Sequence, residues 1–352
     1  MIIQTLELKG FRNLTSLDIS LSSQKNLIYG LNGAGKTSIL EAIFILGFGK
    51  SFLKVKKSDL VNFDMNAFFL KMGVLKGSIE TELIASFKKN GFYLFLNKKN
   101  SNVVELSKYF YPVFFSSSNY NRTIDSVTEM RKVINRFIFG VHSLYIHYIL
   151  SYNKLLKQKN YLLKTTKNVL ELNSWNYAIS EMSSKIVDTR MQFINKLNHE
   201  IENKFGNHLT ILYKPSFDTN KGISDDIFYQ QLEKTKNLEI KNQKSMIGPH
   251  LDDFEFYFKS INFKFYSSGE RKLHLLMIYI AFIELFKKTK NQYPVFLIDD
   301  FDTTFDNQNI DFLLENCPDI QVVATSVHKF KSFDNLIELK CGNKDLKRVK
   351  NG

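Results

Sequence analysis

The feature that most constrains this chain is Gly30-Leu31-Asn32-Gly33-Ala34-Gly35-Lys36-Thr37, a complete GxxxxGK[ST] pattern followed by Ser38. Glycines at these spacings let the backbone curl so that its N–H groups point inward at a phosphate. A helix opening behind the loop adds its positive N-terminal end. The pattern works only between a strand and a helix. Lys25 to Tyr29 reads as that strand. Thr37 to Leu46 reads as the helix, with Ile39, Leu40, Ile43, Phe44 and Leu46 on an apolar face. An α/β core with a parallel sheet follows. Lys36 is expected on the β/γ oxygens of a nucleotide, and the Thr37 hydroxyl on Mg²⁺.

Two complementary pieces lie near the other end. Val295 to Ile298 is a continuous apolar run, as in a central parallel strand. It ends in Asp299, the expected partner of Mg²⁺, and Asp300, placed to orient or deprotonate an attacking water. An Asp is one methylene shorter than the Glu found here in many related ATPases, so hydrolysis is expected to be slow. Before that strand, Ser267-Ser268-Gly269-Glu270 opens an apolar helix. A hydroxyl and a glycine at a helix start offer Oγ and N–H groups to an anion. An N-cap with its capping carboxylate accounts for the same residues. In the order loop, serine-glycine turn, acidic strand, the three belong to ATPases that close two heads on two ATP molecules. The turn then serves the second subunit, and ATP joins a homodimer.

The chain has 352 residues, enough for two domains. Its longest apolar stretch, Leu273 to Phe286, contains His274 and Glu284 and is too short to span a bilayer. No secretory leader is read at the start. Cys317 and Cys341 fit neither a disulfide framework nor a metal site, which points to the reducing cytoplasm. The net charge of +13 points to a polyanion such as DNA or RNA. Only seven of the basic residues are Arg, and Lys grips phosphate as a point charge without reading sequence.

Ile2 to Leu8 alternates as a strand, Gly10-Phe11-Arg12-Asn13 breaks it, and Leu14 to Ser20 starts another. From Phe68 to Leu96 the pattern is extended, with a hairpin turn at Lys88-Lys89-Asn90-Gly91. From Ser126 to Phe205 it becomes helical. One stripe holds Tyr145, Tyr148, Tyr152, Leu155 and Leu162; another holds Ile179, Met182, Ile186, Phe193, Leu197 and Ile201. Between them a turn is expected at Asn168 to Ser174. This reads as a helical arm of residues 116–245 inserted into a head made of 1–115 and 246–352.

Several motifs together resemble the RecF family of DNA replication and repair ATPases. They are Leu6-Glu7-Leu8-Lys9-Gly10-Phe11-Arg12-Asn13-Leu14, the phosphate loop, Gly47-Phe48-Gly49-Lys50-Ser51 with Ser58-Asp59-Leu60, and Leu155 to Leu163 with Ser174-Trp175. The most specific is Ile247-Gly248-Pro249-His250-Leu251-Asp252-Asp253-Phe254. The chain departs from the family pattern where Phe52-Leu53 replaces a basic pair and Leu251 replaces an Arg. It departs again at Ser116-Ser117-Ser118-Asn119 and at Thr304-Phe305, which precedes a retained Asp306. The resemblance implies an ABC-ATPase head of the SMC/Rad50 type: a P-loop parallel sheet with an antiparallel β subdomain, carrying a short α-helical arm. It further implies a weak DNA-stimulated ATPase whose ATP-dependent dimer binds double-stranded DNA near single-strand gaps. RecR, RecO and RecA are the implied partners, and Mg²⁺ accompanies ATP.

Candidate DNA contacts are Lys50, Lys54, Lys56 and Lys57 beyond the loop helix, and Lys154, Lys157 and Lys159 in the arm, with Lys164 and Lys167 behind them. Each cluster reads equally as a solvated helix face. His250 with Asp252-Asp253 offers too few ligands for a metal and reads as structural. His328, after a strand, is a candidate switch residue or a surface histidine. Rival classes are an ABC subunit of a membrane transporter or another SMC-like complex, a P-loop kinase, a Rad50-like nuclease partner and a passive clamp. The inserted arm and the charge disfavour the first, and the serine-glycine turn disfavours the kinase. Chain length excludes the nuclease partner, which needs a far longer coiled coil.

Overall fold

The structure is a computed structural model describing residues 1–89, 91–116, 125–165, 169–304, 312, 315–317 and 319–340. Contacts divide the chain into two compact units, Met1–Asn121 with Phe286–Gly352, and Arg122–Leu285. Residues 246–285, read with the head in the sequence, fall in the second unit.

The first unit holds two sheets. Strands β1 (Ile2–Phe11), β2 (Leu14–Ser20), β4 (Ala67–Lys76), β5 (Ile79–Lys88), β6 (Gly91–Leu96) and β7 (Lys99–Asn100) form a six-stranded antiparallel sheet in the order β2-β1-β4-β5-β6-β7. Strands β3 (Lys25–Gly30), β8 (Pro112–Ser116), β12 (Val295–Asp299), β13 (Val322–Ser326) and β14 (Asn335–Leu339) form a five-stranded parallel sheet in the order β14-β3-β13-β12-β8. Every residue of β12 and β13 is buried, as continuous apolar runs in a central parallel strand must be. The helix behind the loop, α1 (Lys36–Phe48), packs on strands of both sheets. It is buried on all sides from Ile39 to Phe48, not on one face as expected from its pattern, because each sheet covers one flank. A one-turn helix, α2 (Val103–Leu106), precedes β8.

The second unit opens with α3 (Val127–Val141), α4 (Tyr145–Thr165) and α5 (Val169–Phe205). Tyr145, Tyr152, Ile179, Ile186, Phe193, Leu197 and Ile201 of the two stripes are buried, whereas Tyr148, Leu155, Leu162 and Met182 are half-buried. The turn expected at Asn168 to Ser174 is helical from Val169 onward, and Asn168 lies outside the described residues. Leu172, Asn176 and Ile179 continue one buried face at helical spacing, which carries α5 through the polar residues. After α5 come β9 (Leu209–Lys214) and α6 (Asp225–Asn242), which the sequence reading had not separated. Strand β9 pairs antiparallel with β10 (Asp253–Phe258), and β10 with β11 (Ile261–Asn262). Helix α7 (Ser268–Lys290) follows, and α8 (Phe301–Thr304) comes directly after β12.

Among the described residues no helix is long and apolar enough to cross a membrane. Asn90, Ser117 to Asn119, Lys167, Phe305, Asp306 and Cys341 lie outside the described residues.

Candidate nucleotide site and basic surfaces

Strand β3 ends at Gly30, and the loop to α1 bends through glycines with φ of 149° at Gly30, 82° at Gly33 and 100° at Gly35. A Cβ on Gly35 would lie 2.7 Å from the Leu14 side chain, so this left-handed position also needs glycine for space. Leu31, Asn32 and Gly33 are exposed at the loop tip, while Ala34, Gly35 and Lys36 are buried. The Lys36 ammonium donates to the Gly30 carbonyl at 2.7 Å and the Leu31 carbonyl at 3.0 Å. It therefore sits within the curl that a phosphate would occupy.

Neighbouring residues brace the loop. Asn13 donates through Nδ2 to the Gly33 carbonyl at 2.7 Å and accepts from Ser38 Oγ at 3.0 Å. Arg12 makes a two-pronged pair with Glu41 of α1, both bonds at 2.8 Å, and Glu41 also accepts from the Ser51 hydroxyl. The Gly-Phe-Arg-Asn break between β1 and β2 thus holds both the loop and its helix.

Parallel pairing brings the ends of β3, β13 and β12 side by side. Thr37 Oγ1 donates to Asp299 Oδ1 at 3.1 Å across 262 residues of sequence. Thr325 Oγ1 donates to the same oxygen at 2.7 Å and accepts from the Asp300 N–H at 3.0 Å. Burial pushes the Asp299 carboxyl up to about 6, with the neighbouring Asp300 charge adding to it and the bonds from Thr325 and Thr37 opposing it. Asp300 has φ of 51°, which turns the chain out of β12. Its carboxyl is also raised, by burial and Asp302, against the pull of Lys36. Asp302 accepts from the backbone N–H groups of Val327 at 2.8 Å and His328 at 3.3 Å, and the His328 side chain is exposed.

A hydroxyl and a carboxylate this close are hard oxygen donors suited to Mg²⁺, which takes one or two protein ligands and completes its shell with phosphate and water. Among the described residues no cluster of three or more His, Cys, Asp or Glu could hold a metal. Asn13, Thr325 and Asp302 were not singled out from the sequence. The available signals were the place of Asn13 at a strand break within a family-like motif and the place of Thr325 at the end of a strand.

In the second unit, Ser267-Ser268-Gly269 is exposed at the start of α7. Glu270 Oε2 accepts from the Ser267 N–H at 3.0 Å and its hydroxyl at 2.6 Å, while Ser267 Oγ accepts from the Glu270 N–H at 3.4 Å. This is the reciprocal capping box. It presents the turn to solvent as a helix N-terminus.

The basic candidates separate. Lys50, Lys54 and Lys56 are exposed, but the Lys57 ammonium lies 3.5 Å over the Phe92 ring. Lys154 and Lys157 are exposed on α4. Lys159 must be withdrawn as a DNA contact: it is 1% exposed, with its ammonium 2.6 Å from Glu239 Oε2. Its position two residues from Lys157 and five from Lys154, both exposed, hid this, because α4 turns that residue towards α6. Phe52, which replaces a basic residue of the family pattern, stacks on Phe114 at 4.0 Å and meets Phe44 edge-on at 5.5 Å. The position is half-buried in an aromatic cluster.

His250 is neutral and structural. Its Nδ1 lies 2.6 Å from the Tyr152 hydroxyl, and burial with the Arg131 charge lowers it to about 4. Next to it Arg190, 1% exposed, pairs with buried Asp252 at 2.5 Å and donates to Tyr145 at 2.9 Å and the Pro249 carbonyl at 2.8 Å. Asp252 also accepts from Tyr213 and from the Ser216 N–H at 2.8 Å. The Gly-Pro-His-Leu-Asp-Asp block therefore ties α4, α5 and β9 together.

The sequence matches the RecF/RecN/SMC N-terminal domain family over residues 2–341. It is 32% identical to the DNA replication and repair protein RecF of Acetivibrio thermocellus over 95% of both chains. This chain belongs to the RecF family. It is also 30% identical to the RecF of Agathobacter rectalis over 92% of each chain. Among solved structures, the recombination mediator protein RecF with ATP, of the RecFOR pathway, superposes with a TM-score of 0.87 at 25% identity, covering 96% of this chain and 95% of that one. The Smc head bound to the C-winged helix domain of ScpA shares the fold alone, with a TM-score of 0.53 at 15% identity over 96% of this chain and 94% of that one. The RecF fold is thus an ABC-ATPase head with a parallel sheet and an antiparallel sheet, as expected.

Proposed function

We propose that this RecF-family chain is an ATP-dependent DNA-binding ATPase of recombinational repair. Carrying that reading is the meeting of Thr37 and Asp299, 262 residues apart, beside Lys36 and Asp300. Lys36 leaves the Gly30 and Leu31 carbonyls to bind β/γ-phosphate oxygens, and the N–H groups of residues 30–38 cradle the phosphates. Thr37 and Asp299 hold Mg²⁺, which supplies charge neutralisation on the phosphates. Asp300 orients the attacking water and takes its proton. Its short side chain keeps turnover slow, so hydrolysis acts as a reset. Ser267, Ser268 and Gly269 of one copy bind the γ-phosphate held by another, making ATP the joint of a homodimer. The solved RecF relative that carries ATP supports the choice of nucleotide.

The functional head in this reading is 1–115 with 246–352, and the arm is 116–245. Compact units record packing, whereas a head is defined by the residues that act on nucleotide. The closed dimer grips double-stranded DNA near single-strand gaps through Lys50, Lys54, Lys56, Lys154 and Lys157, with little sequence preference. RecR, RecO and RecA are the partners and the cytoplasm is the setting, as the family implies. Light scattering on the Asp300→Asn protein with ATP, Mg²⁺ and gapped duplex tests the reading: a dimer is expected, and monomers at saturating nucleotide would overturn it. Binding to membranes carrying a transporter, without DNA, would favour the transporter-subunit alternative.

A further inference from the structure

The segment after α1 carries a feature that the nucleotide site does not use. Phe63 is 103% exposed, more than any other large apolar residue among those described. Its turn is held tightly. The Asn62 N–H donates to the Gly10 carbonyl at 2.9 Å, its Nδ2 donates to the Arg12 carbonyl at 2.7 Å, and its Oδ1 accepts from the Asp64 N–H at 3.1 Å. The Met65 N–H closes the turn on the Asn62 carbonyl at 3.0 Å. One residue earlier, Val61 bridges to Phe11, and the Arg12 N–H donates to the Leu60 carbonyl at 2.8 Å. The backbone beneath the ring is therefore fixed to β1, and the ring gains nothing from folding. Exposed apolar residues scattered singly are ordinary. A ring held fully outward on a braced turn, in a segment that also exposes Lys50, Lys54 and Lys56, is a different case.

Aromatic faces beside lysines suit nucleic acid, because every base has a π-face and every nucleotide a phosphate. Within continuous duplex, a wedge must first unstack a base step. At the edge of a gap, the last base pair already offers an open face, so stacking there carries no unstacking cost. We propose that Phe63 stacks on the open face of the terminal base pair at a duplex–gap junction, with Lys50, Lys54 and Lys56 of the same segment on its phosphates. The proposal rests on the DNA-binding reading and adds to it the residue that selects junctions over plain duplex.

The test compares gapped and continuous duplexes of one sequence, with ATP and Mg²⁺, by fluorescence anisotropy. A 2-aminopurine in the terminal pair at the gap reports stacking. The wild type is expected to prefer the gapped duplex by roughly tenfold, the scale of one base–aromatic stack. Phe63→Ala should erase that preference while leaving the salt dependence intact, and Phe63→Trp should keep it. An unchanged preference and unchanged 2-aminopurine signal in Phe63→Ala overturn the proposal while the DNA-binding reading stands. Absence of wild-type binding to either duplex overturns both. Loss of ATP-dependent dimerisation in Phe63→Ala, with junction preference retained, assigns the ring to a second copy and also overturns it.

Discussion

Asp299 and Asp300 sit next to each other in different surroundings. Asp299 is buried and its pKa is raised to about 6 from the ordinary 3.8, so its charge is under-compensated until a cation arrives. The sign follows: a raised folded-state value means the folded protein holds this proton more tightly, so ionising Asp299 costs the ligand-free protein stability as pH rises from 3.8 to about 6. Bound Mg²⁺ needs the ionised form. Magnesium-dependent stabilisation with ATP, followed by thermal melting, should therefore weaken by about tenfold in affinity per pH unit below 6. A flat response from pH 7 to 5 would remove Asp299 from the metal. Asp300 leaves its strand through a left-handed φ of 51°, a conformation that Asp tolerates better than most residues. Asp300→Asn should keep ATP affinity within a few fold and lower turnover by roughly 10²-fold or more, as loss of a general base does. Near-wild-type phosphate release would reassign the water-activating role.

At the scale of elements, two buried ion pairs hold the second unit. Arg190–Asp252 ties α5 to the segment entering β10, and Lys159–Glu239 ties α4 to α6. Removing one partner strands a charge, so Arg190→Met should destabilise by about 3–5 kcal/mol in chemical denaturation. Changing Lys159→Met together with Glu239→Gln, whose carbonyl oxygen still accepts from the Ser245 hydroxyl and the Met246 N–H, should cost far less than Arg190→Met, because no unpaired charge stays buried. Equal losses in the two variants would contradict this account. The elements were unevenly legible. Alternation marked β1 and β2, and an apolar run marked β12. Helix α5 was read too short at its start, since Asn173 and Ser174 look like turn residues until the burial of Leu172 and Asn176 is seen. Strand β9 alternates, but only its pairing with β10 makes it part of a sheet.

For the whole molecule, +13 net charge with few arginines predicts sequence-blind, salt-sensitive capture of DNA. With about six phosphate contacts, affinity should fall roughly 10³-fold or more between 50 and 200 mM salt. Reversing charge at Lys154 and Lys157 should reduce that slope, measured by titration at several salt concentrations. Charge reversal at Lys159 should instead unfold the second unit, because that ammonium is buried. If the Lys154 and Lys157 variant keeps the wild-type slope, the exposed face of α4 serves solubility alone.

The phosphate loop, the acidic strand and the family were readable from residues alone, because each depends on chemistry repeated at short, fixed spacings. Charge and the absence of a long apolar run were equally plain, being sums over the chain. The tertiary structure alone decided which lysines meet solvent, that Phe52 packs against Phe44 and Phe114, and that Asn13 and Thr325 brace the site. Those outcomes depend on which distant segments cover a side chain, and helical or strand periodicity carries no record of that.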